Sequence, residues 1–380
     1  MPQGQRRRRA PRPWGYWTEQ KLSMLTAYLT AFTKASLRAR RTLYLDLFAG
    51  QDRNLSRTTG EEISGSARVA LNTEPQFTKV VLFELPAQAA QLEAALREEY
   101  AGRDFEVIAG DCNEQLGPVL SRLKRDGWDW APTFALVDQQ AAEIRWSTLE
   151  LLCAFRREGK PKVELWLLFA SSMLPRGLGV EDADAVERFA DRITAMYGSE
   201  EWRDAYEARR RGLLSPAELR DELLNLMRWR LEKVLGYEVT HYFEMKNTRG
   251  MPIYNMVFAS DHEAGDKIMK HTYGKAAEVR PQMQAEAAAK GAGKKGRGVG
   301  LAGSLCSTSK GDQARRPVRA PTSCSALPPT ARPVMPAPPW TGISSHVRPS
   351  RTRPPCLGVR PPHCLKKNGT SSRRQRSRIS

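Results

Sequence analysis

Tyr44-Leu45-Asp46-Leu47-Phe48-Ala49-Gly50-Gln51-Asp52-Arg53-Asn54 is the stretch on which the reading of this chain turns. An apolar run rich in β-forming residues stops at Ala49-Gly50, and a polar loop follows. In open α/β sheets, helix N-termini and free backbone N–H groups collect at the carboxyl end of such a strand, where a nucleotide-like ligand can sit. Asp46 is the charged residue inside the apolar part of the run. A carboxylate there needs partners, which a cofactor bearing cationic or hydroxyl groups would supply. An ordinary strand followed by a turn explains this stretch equally well. The rest of the chain has to decide.

Outward from that strand, placed at about 42–48, the pattern alternates. A helix opens at Trp17-Thr18-Glu19-Gln20-Lys21 with Thr18 as its cap, and Leu22, Leu25, Leu29 and Phe32 share one face. After Gln51 a long polar excursion runs to Gly65-Ser66-Ala67, where a short helix begins. Lys79–Glu84, Phe105–Ala109, Thr133–Val137 and Val163–Phe169 read as further strands. Helices fill 86–100, the stretch carrying Leu116, Val119, Leu120 and Leu123, and Trp146–Phe155, with Ser147 as a cap. The section from about 180 to 235 is charged and helical, too long for a simple crossover, and reads as an insertion. Tyr237–Met245 and Pro252–Ser260 read as an antiparallel hairpin at a sheet edge. Five rounds of strand–helix alternation closed by a hairpin predict an α/β chain with a doubly wound, Rossmann-like sheet.

The formal net charge of +18 is unevenly distributed. Residues 281–380 hold 19 Lys and Arg against 2 acids, with 14 of the 25 prolines, and residues 1–12 add five arginines. The remaining 13–280 carry 36 basic against 40 acidic residues. Three parts follow: a disordered basic arm at 1–13, a folded domain at 14–280, and a disordered basic Pro/Arg/Ser-rich tail at 281–380. Basic tails bind nucleic acid through its phosphates without telling what the domain recognises. Cys112 and Cys153 are too few for a disulfide framework, no apolar run approaches a membrane span, and a cytoplasmic protein is expected. His241, His262 and His271 lack metal-ligand spacing, so no metal is expected.

Four acids close successive strands: Asp46, Glu84, Asp111 and Asp138. Strand C-termini of a doubly wound sheet line one crevice, so these carboxylates are expected to converge there. Glu84 would accept from ribose hydroxyls, and Asp111 from a purine amine. Gly50 is followed by Gln51-Asp52, so the loop lacks GxGxxG and would repel a pyrophosphate. The aminoacyl group and sulfonium of S-adenosylmethionine tolerate such acids, and this cofactor fits better than NAD or FAD.

Taken as a set, Trp17 to Lys21, Tyr44–Gly50, Thr59-Gly60-Glu61-Glu62 through Gly65-Ser66, Gly110-Asp111-Cys112-Asn113, Asp138-Gln139-Gln140 through Glu150, and Pro252-Ile253-Tyr254 through Ser260 carry a resemblance. Over residues 15–275 the chain resembles the three-Cys-motif partner family, TcmP. That family is similar to class I S-adenosylmethionine-dependent methyltransferases, with a seven-stranded sheet and an antiparallel final hairpin. The resemblance implies that Asp46, Ala49, Gly50, Glu84 and Asp111 hold the cofactor, that Asp138 faces the substrate as the catalytic residue, and that a three-Cys-motif protein is the partner. Asp52 stands where members usually carry a second glycine. Asp138-Gln139-Gln140-Ala141 lacks the prolines and aromatic ring that base-amine methyltransferases place after the fourth strand. Two readings follow: a methyltransferase acting on nucleic acid, and a non-catalytic accessory or adaptor protein of the same fold beside its three-Cys-motif partner.

Overall fold

The structure, a computed structural model, describes residues 13–178 and 183–294. A short strand β1 (Pro13–Trp14) precedes helix α1 (Tyr16–Ala35). Strand β2 (Leu43–Asp46) leads into β3 (Arg53–Ser56), β4 (Glu62–Ser64) and α2 (Ser66–Leu71). Then come β5 (Lys79–Glu84), α3 (Pro86–Glu99), β6 (Phe105–Ala109), α4 (Cys112–Arg125), β7 (Thr133–Val137), α5 (Trp146–Cys153) and β8 (Glu164–Phe169). Four helices follow: α6 (Leu174–Gly177), α7 (Ala183–Tyr197), α8 (Trp202–Arg210) and α9 (Pro216–Lys233). The hairpin β9 (Val239–Lys246) and β10 (Pro252–Ser260) and the helix α10 (Glu263–Lys294) complete it.

The main sheet has seven strands in the order β6-β5-β2-β7-β8-β10-β9. The first five run parallel, with Asp46 level with Leu82 on one side and Leu136 on the other. β10 inserts between β8 and β9, antiparallel to both, so β9 is the edge. This is the Rossmann-like α/β sheet with an antiparallel end that the alternation predicts.

Period-2 alternation sorts the apolar strand residues onto two faces. Leu43, Leu45, Val81, Phe83, Ala135, Val137, Leu165 and Leu167 pack in one cluster with α4, α5 and the inserted helices. Tyr44, Val80, Leu82, Phe134, Leu136, Trp166 and Phe258 pack in the other with α1, α2, α3 and α10. Both faces are covered, which is why the strands read as unbroken apolar runs. An aromatic group anchors the second face: the Phe134 ring lies 5.3 Å from Tyr28 and 6.0 Å from Tyr44.

Four expectations change. Thr18 does not cap α1: Gly15 does, and the Thr18 N–H donates to the Gly15 carbonyl. The helix starts early because Tyr16 is buried and its hydroxyl donates to the Lys246 carbonyl. Ser147 does not cap α5 either; Arg145 holds that position, and its N–H donates to the Asn113 side chain. The polar excursion after Gln51 is a β3–β4 hairpin that pairs with β1, so Pro13 and Trp14 belong to the fold, while 1–12 lie outside the described residues. The domain boundary expected at 280 also moves. α10 runs through Pro281 to Lys294, and Gln284 donates to the Asn247 carbonyl. The expected tail from 295 onward lies outside the described residues.

Phe134→Ala should leave a cavity between Tyr28, Tyr44 and the sheet. We expect a loss of about 3–5 kcal/mol in denaturant unfolding.

Candidate functional site

A cavity of about 940 Å³ opens at the carboxyl ends of the parallel strands. That is near the upper end of the roughly 300–1,000 Å³ common for small-molecule and cofactor sites. Its wall includes Ala49, Gly50, Glu84, Asp111 and Asp138, so five of the six site residues expected from sequence meet in one place. Asp46 does not line it. Its side chain is fully buried below, where Phe48 N–H donates to one carboxylate oxygen at 3.2 Å and Tyr44 Oη–H to the other at 3.1 Å. Burial pushes its acid up to about 7, against the pull of hydrogen bonds from Ser66, Phe48 and Tyr44. Asp46 therefore positions the strand-end turn, and a contact with a ligand is not its role.

The turn itself is set by Gly50, which has φ of +64°, a conformation that costs an L side chain about 1–2 kcal/mol. That geometry aims the Gly50 N–H at Glu84 Oε2, 2.7 Å away, while Glu84 Oε1 accepts from the Leu85 N–H at 2.9 Å. Each oxygen keeps a second lone pair for a hydroxyl from the cavity. Asp111 caps α4, its Oδ1 accepting from the Asn113 N–H and amide at 2.9 Å each. Its Oδ2 has no protein partner among the described residues.

Asp52 turns away from the cavity wall. Arg68, almost wholly buried, holds it at 3.1 Å and also pairs with Glu99. Gly65 lies against the Gln51 carbonyl so closely that a side chain there would collide with it, and its N–H donates to the Asp52 carbonyl at 2.8 Å. The loop is braced, and Asp52 neither narrows nor charges the cavity.

Asp138 meets a residue whose role in the site was not read from the sequence. Lys21, on α1, pairs with Asp138 Oδ2. The signal was present, since Trp17 and Lys21 are four residues apart and share a helix face, and both line the cavity. Gln139, nearly fully buried, does the structural work after β7. Its side-chain oxygen accepts from Glu143 N–H at 2.8 Å and Ile144 N–H at 2.9 Å, and its amide donates to the Leu168 carbonyl. The insertion reaches the same turn through Arg192, which donates to the Ala142 carbonyl at 3.1 Å.

No group of His, Cys, Asp and Glu among the described residues could hold a metal ion. No described helix is long and apolar enough to cross a membrane. Trp202, in the inserted helices, is core, its indole N–H donating to Thr194. No protein-family model matches the chain, and no curated protein matches it.

Asp46 gives the fold a pH signature. An acid whose native pKa lies above its unfolded one binds more protons folded than unfolded between the two values. The stability it contributes is full below about pH 4 and is lost as pH rises through about 7. We expect Asp46→Asn to lose less stability than the parent protein between those limits, by up to about 4 kcal/mol, in urea unfolding across pH.

Proposed function

We propose that the chain is a cytoplasmic S-adenosylmethionine-dependent methyltransferase acting on nucleic acid. One observation carries this reading: left-handed Gly50, the Glu84 carboxylate bonded to its N–H, and Asp111 with an open oxygen stand around one cavity at adjacent strand ends. The donor set fits the cofactor. Glu84 suits two ribose hydroxyls, Asp111 an exocyclic amine, and Ala49-Gly50 a bare backbone edge for the aminoacyl end. When bound, S-adenosylmethionine supplies an electrophilic methyl group. The chain's own work is to hold the accepting atom at Asp138 and to keep it in line, which is catalysis by orientation.

Seven strands with an antiparallel final hairpin agree with the fold that the resemblance to the three-Cys-motif partner family implies. The same reading brings a three-Cys-motif protein as partner. Support for nucleic acid comes from the five arginines within residues 1–12, a few residues before Trp14 on the cavity wall. Free Cys112 and Cys153 suit a reducing compartment. The adaptor reading drew on Asp52 and on the missing proline motif. Asp52 now gives it no support, because Arg68 holds that carboxylate outside the cavity wall.

Calorimetry with S-adenosylmethionine on the full chain tests the assignment. Glu84→Ala should weaken binding at least about tenfold, the worth of one to two hydrogen bonds to hydroxyls. Asp52→Asn, which keeps an acceptor for Arg68, should leave affinity within about threefold, because Asp52 lies off the cavity wall. Unchanged affinity in Glu84→Ala would overturn the cofactor site.

A further inference from the structure

We infer that the far end of the cavity reads the Watson–Crick edge of a single unstacked nucleobase, and that the methyl goes to a nitrogen of that edge. This rests on the methyl-transfer reading above.

Three polar groups at this end are short of partners. Asp138 Oδ2 is taken by Lys21, but Oδ1 has no protein partner among the described residues. The Lys21 ammonium has three N–H donors and gives one to Asp138. Tyr254 is 9 % exposed, lines the cavity, and its hydroxyl has no hydrogen bond to the described residues. All three groups open onto the cavity, where a ligand can take the hydrogen bonds that water would otherwise make. An acceptor on Asp138 beside donors on Lys21 complements a donor N–H lying next to an acceptor nitrogen or oxygen. Every nucleobase presents such a pair on its Watson–Crick edge, and flipped bases are read there.

The walls are aromatic. Trp17 lies one helical turn before Lys21, and Trp14, 39 % exposed, and Tyr254 line the cavity with it. Such side chains stack on bases regardless of sequence. The cations on the wall are each tied to a protein group. Of those lining the cavity, Arg145 is paired with Glu114, Arg192 with the Ala142 carbonyl, and Lys21 with Asp138.

The chemistry also selects nitrogen over carbon. Methylation of a ring carbon needs a covalent nucleophile, and among the described residues Cys112 is the cysteine on the wall. It is buried, and burial together with Asp111 pushes its thiol up to about 12, so it is no thiolate. At an edge nitrogen that bears hydrogen the balance closes without a covalent enzyme intermediate. The nitrogen lone pair forms the N–CH3 bond as the S–CH3 bond of S-adenosylmethionine breaks, the sulfur keeps that electron pair as S-adenosylhomocysteine, and the nitrogen's proton passes to Asp138 and on to water.

The test uses the full chain with S-adenosylhomocysteine, labelled single strands and an abasic strand of equal length and charge. The abasic strand cancels the basic ends. Base-bearing strands should bind at least about tenfold more tightly, by anisotropy. Trp14→Ala, at an exposed position, and Tyr254→Phe, which removes only a hydroxyl, should each erase most of that preference. Equal binding of the two strands overturns the inference even where calorimetry shows that S-adenosylhomocysteine binds. A base preference without S-adenosylhomocysteine binding upholds base reading and overturns methyl transfer. Mass spectrometry of digested product should place the methyl on an edge nitrogen. A methyl on a ring carbon, on ribose, or on a protein side-chain amide overturns the inference.

Discussion

Both faces of the central sheet are buried, and that constraint shapes everything else. A polar side chain can leave such a sheet only at a strand end, so polar atoms gather along its carboxyl edge. The cavity at that edge is the consequence, with Gly50, Glu84, Asp111 and Asp138 delivered by β2, β5, β6 and β7. Asp46, the last residue of β2, and Glu164, the first of β8, are buried acids that the fold treats alike. Asp46 in β2 takes hydrogen bonds from Tyr44 and Ser66; Glu164 in β8 takes them from Tyr28 and Ser260. Burial pushes both up to about 7. Buried acids that hydroxyls hydrogen-bond are tolerable in an apolar layer, whereas unpaired ones are not.

Rigidity at the cavity comes from side chains that never touch a ligand. Arg68 braces the loop after β2 by pairing with Asp52 and Glu99. Gln139 pins the turn after β7, and Asn113 ties α4 to α5 through Arg145 N–H and the Thr148 hydroxyl. Arg192 then fastens the inserted helices to the same turn. The groups that line the cavity are left with spare acceptors and donors because their supports are satisfied elsewhere. A preorganised site of this kind needs little rearrangement on binding.

The strands were legible because their evidence is local. Lys79–Glu84, Phe105–Ala109 and Thr133–Val137 have the bounds that their apolar runs and closing acids predict. Glu84 and Asp111 were legible for the same reason: a strand end is a position in sequence as well as in space. Other features were hidden by distance along the chain. Lys21 and Asp138 are 117 residues apart and meet only because α1 crosses the carboxyl edge. Residues 281–294 read as tail by composition, yet they continue α10, whose Met269 and Tyr273 pack on the second face, and Gln284 holds the hairpin loop. Thr18 has the chemistry of a cap, but burial of Tyr16 starts the helix earlier.

The sequence alone determined the class of fold, the five strands that form its parallel part, and the crevice toward which its strand-end acids gather. Hydrophobic periodicity and strand-end acids are written residue by residue, and each acts over a few positions. Only the tertiary structure decided which carboxylates face that crevice. Asp46 and Asp52 sit six positions apart on one stretch, and neither lines the cavity: one is sealed beneath it by Tyr44, the other drawn off by Arg68. Glu84, which the sequence ranked beside Asp46, faces it. Orientation of a charged side chain is set by the partners that packing brings near, and those partners lie elsewhere in the chain.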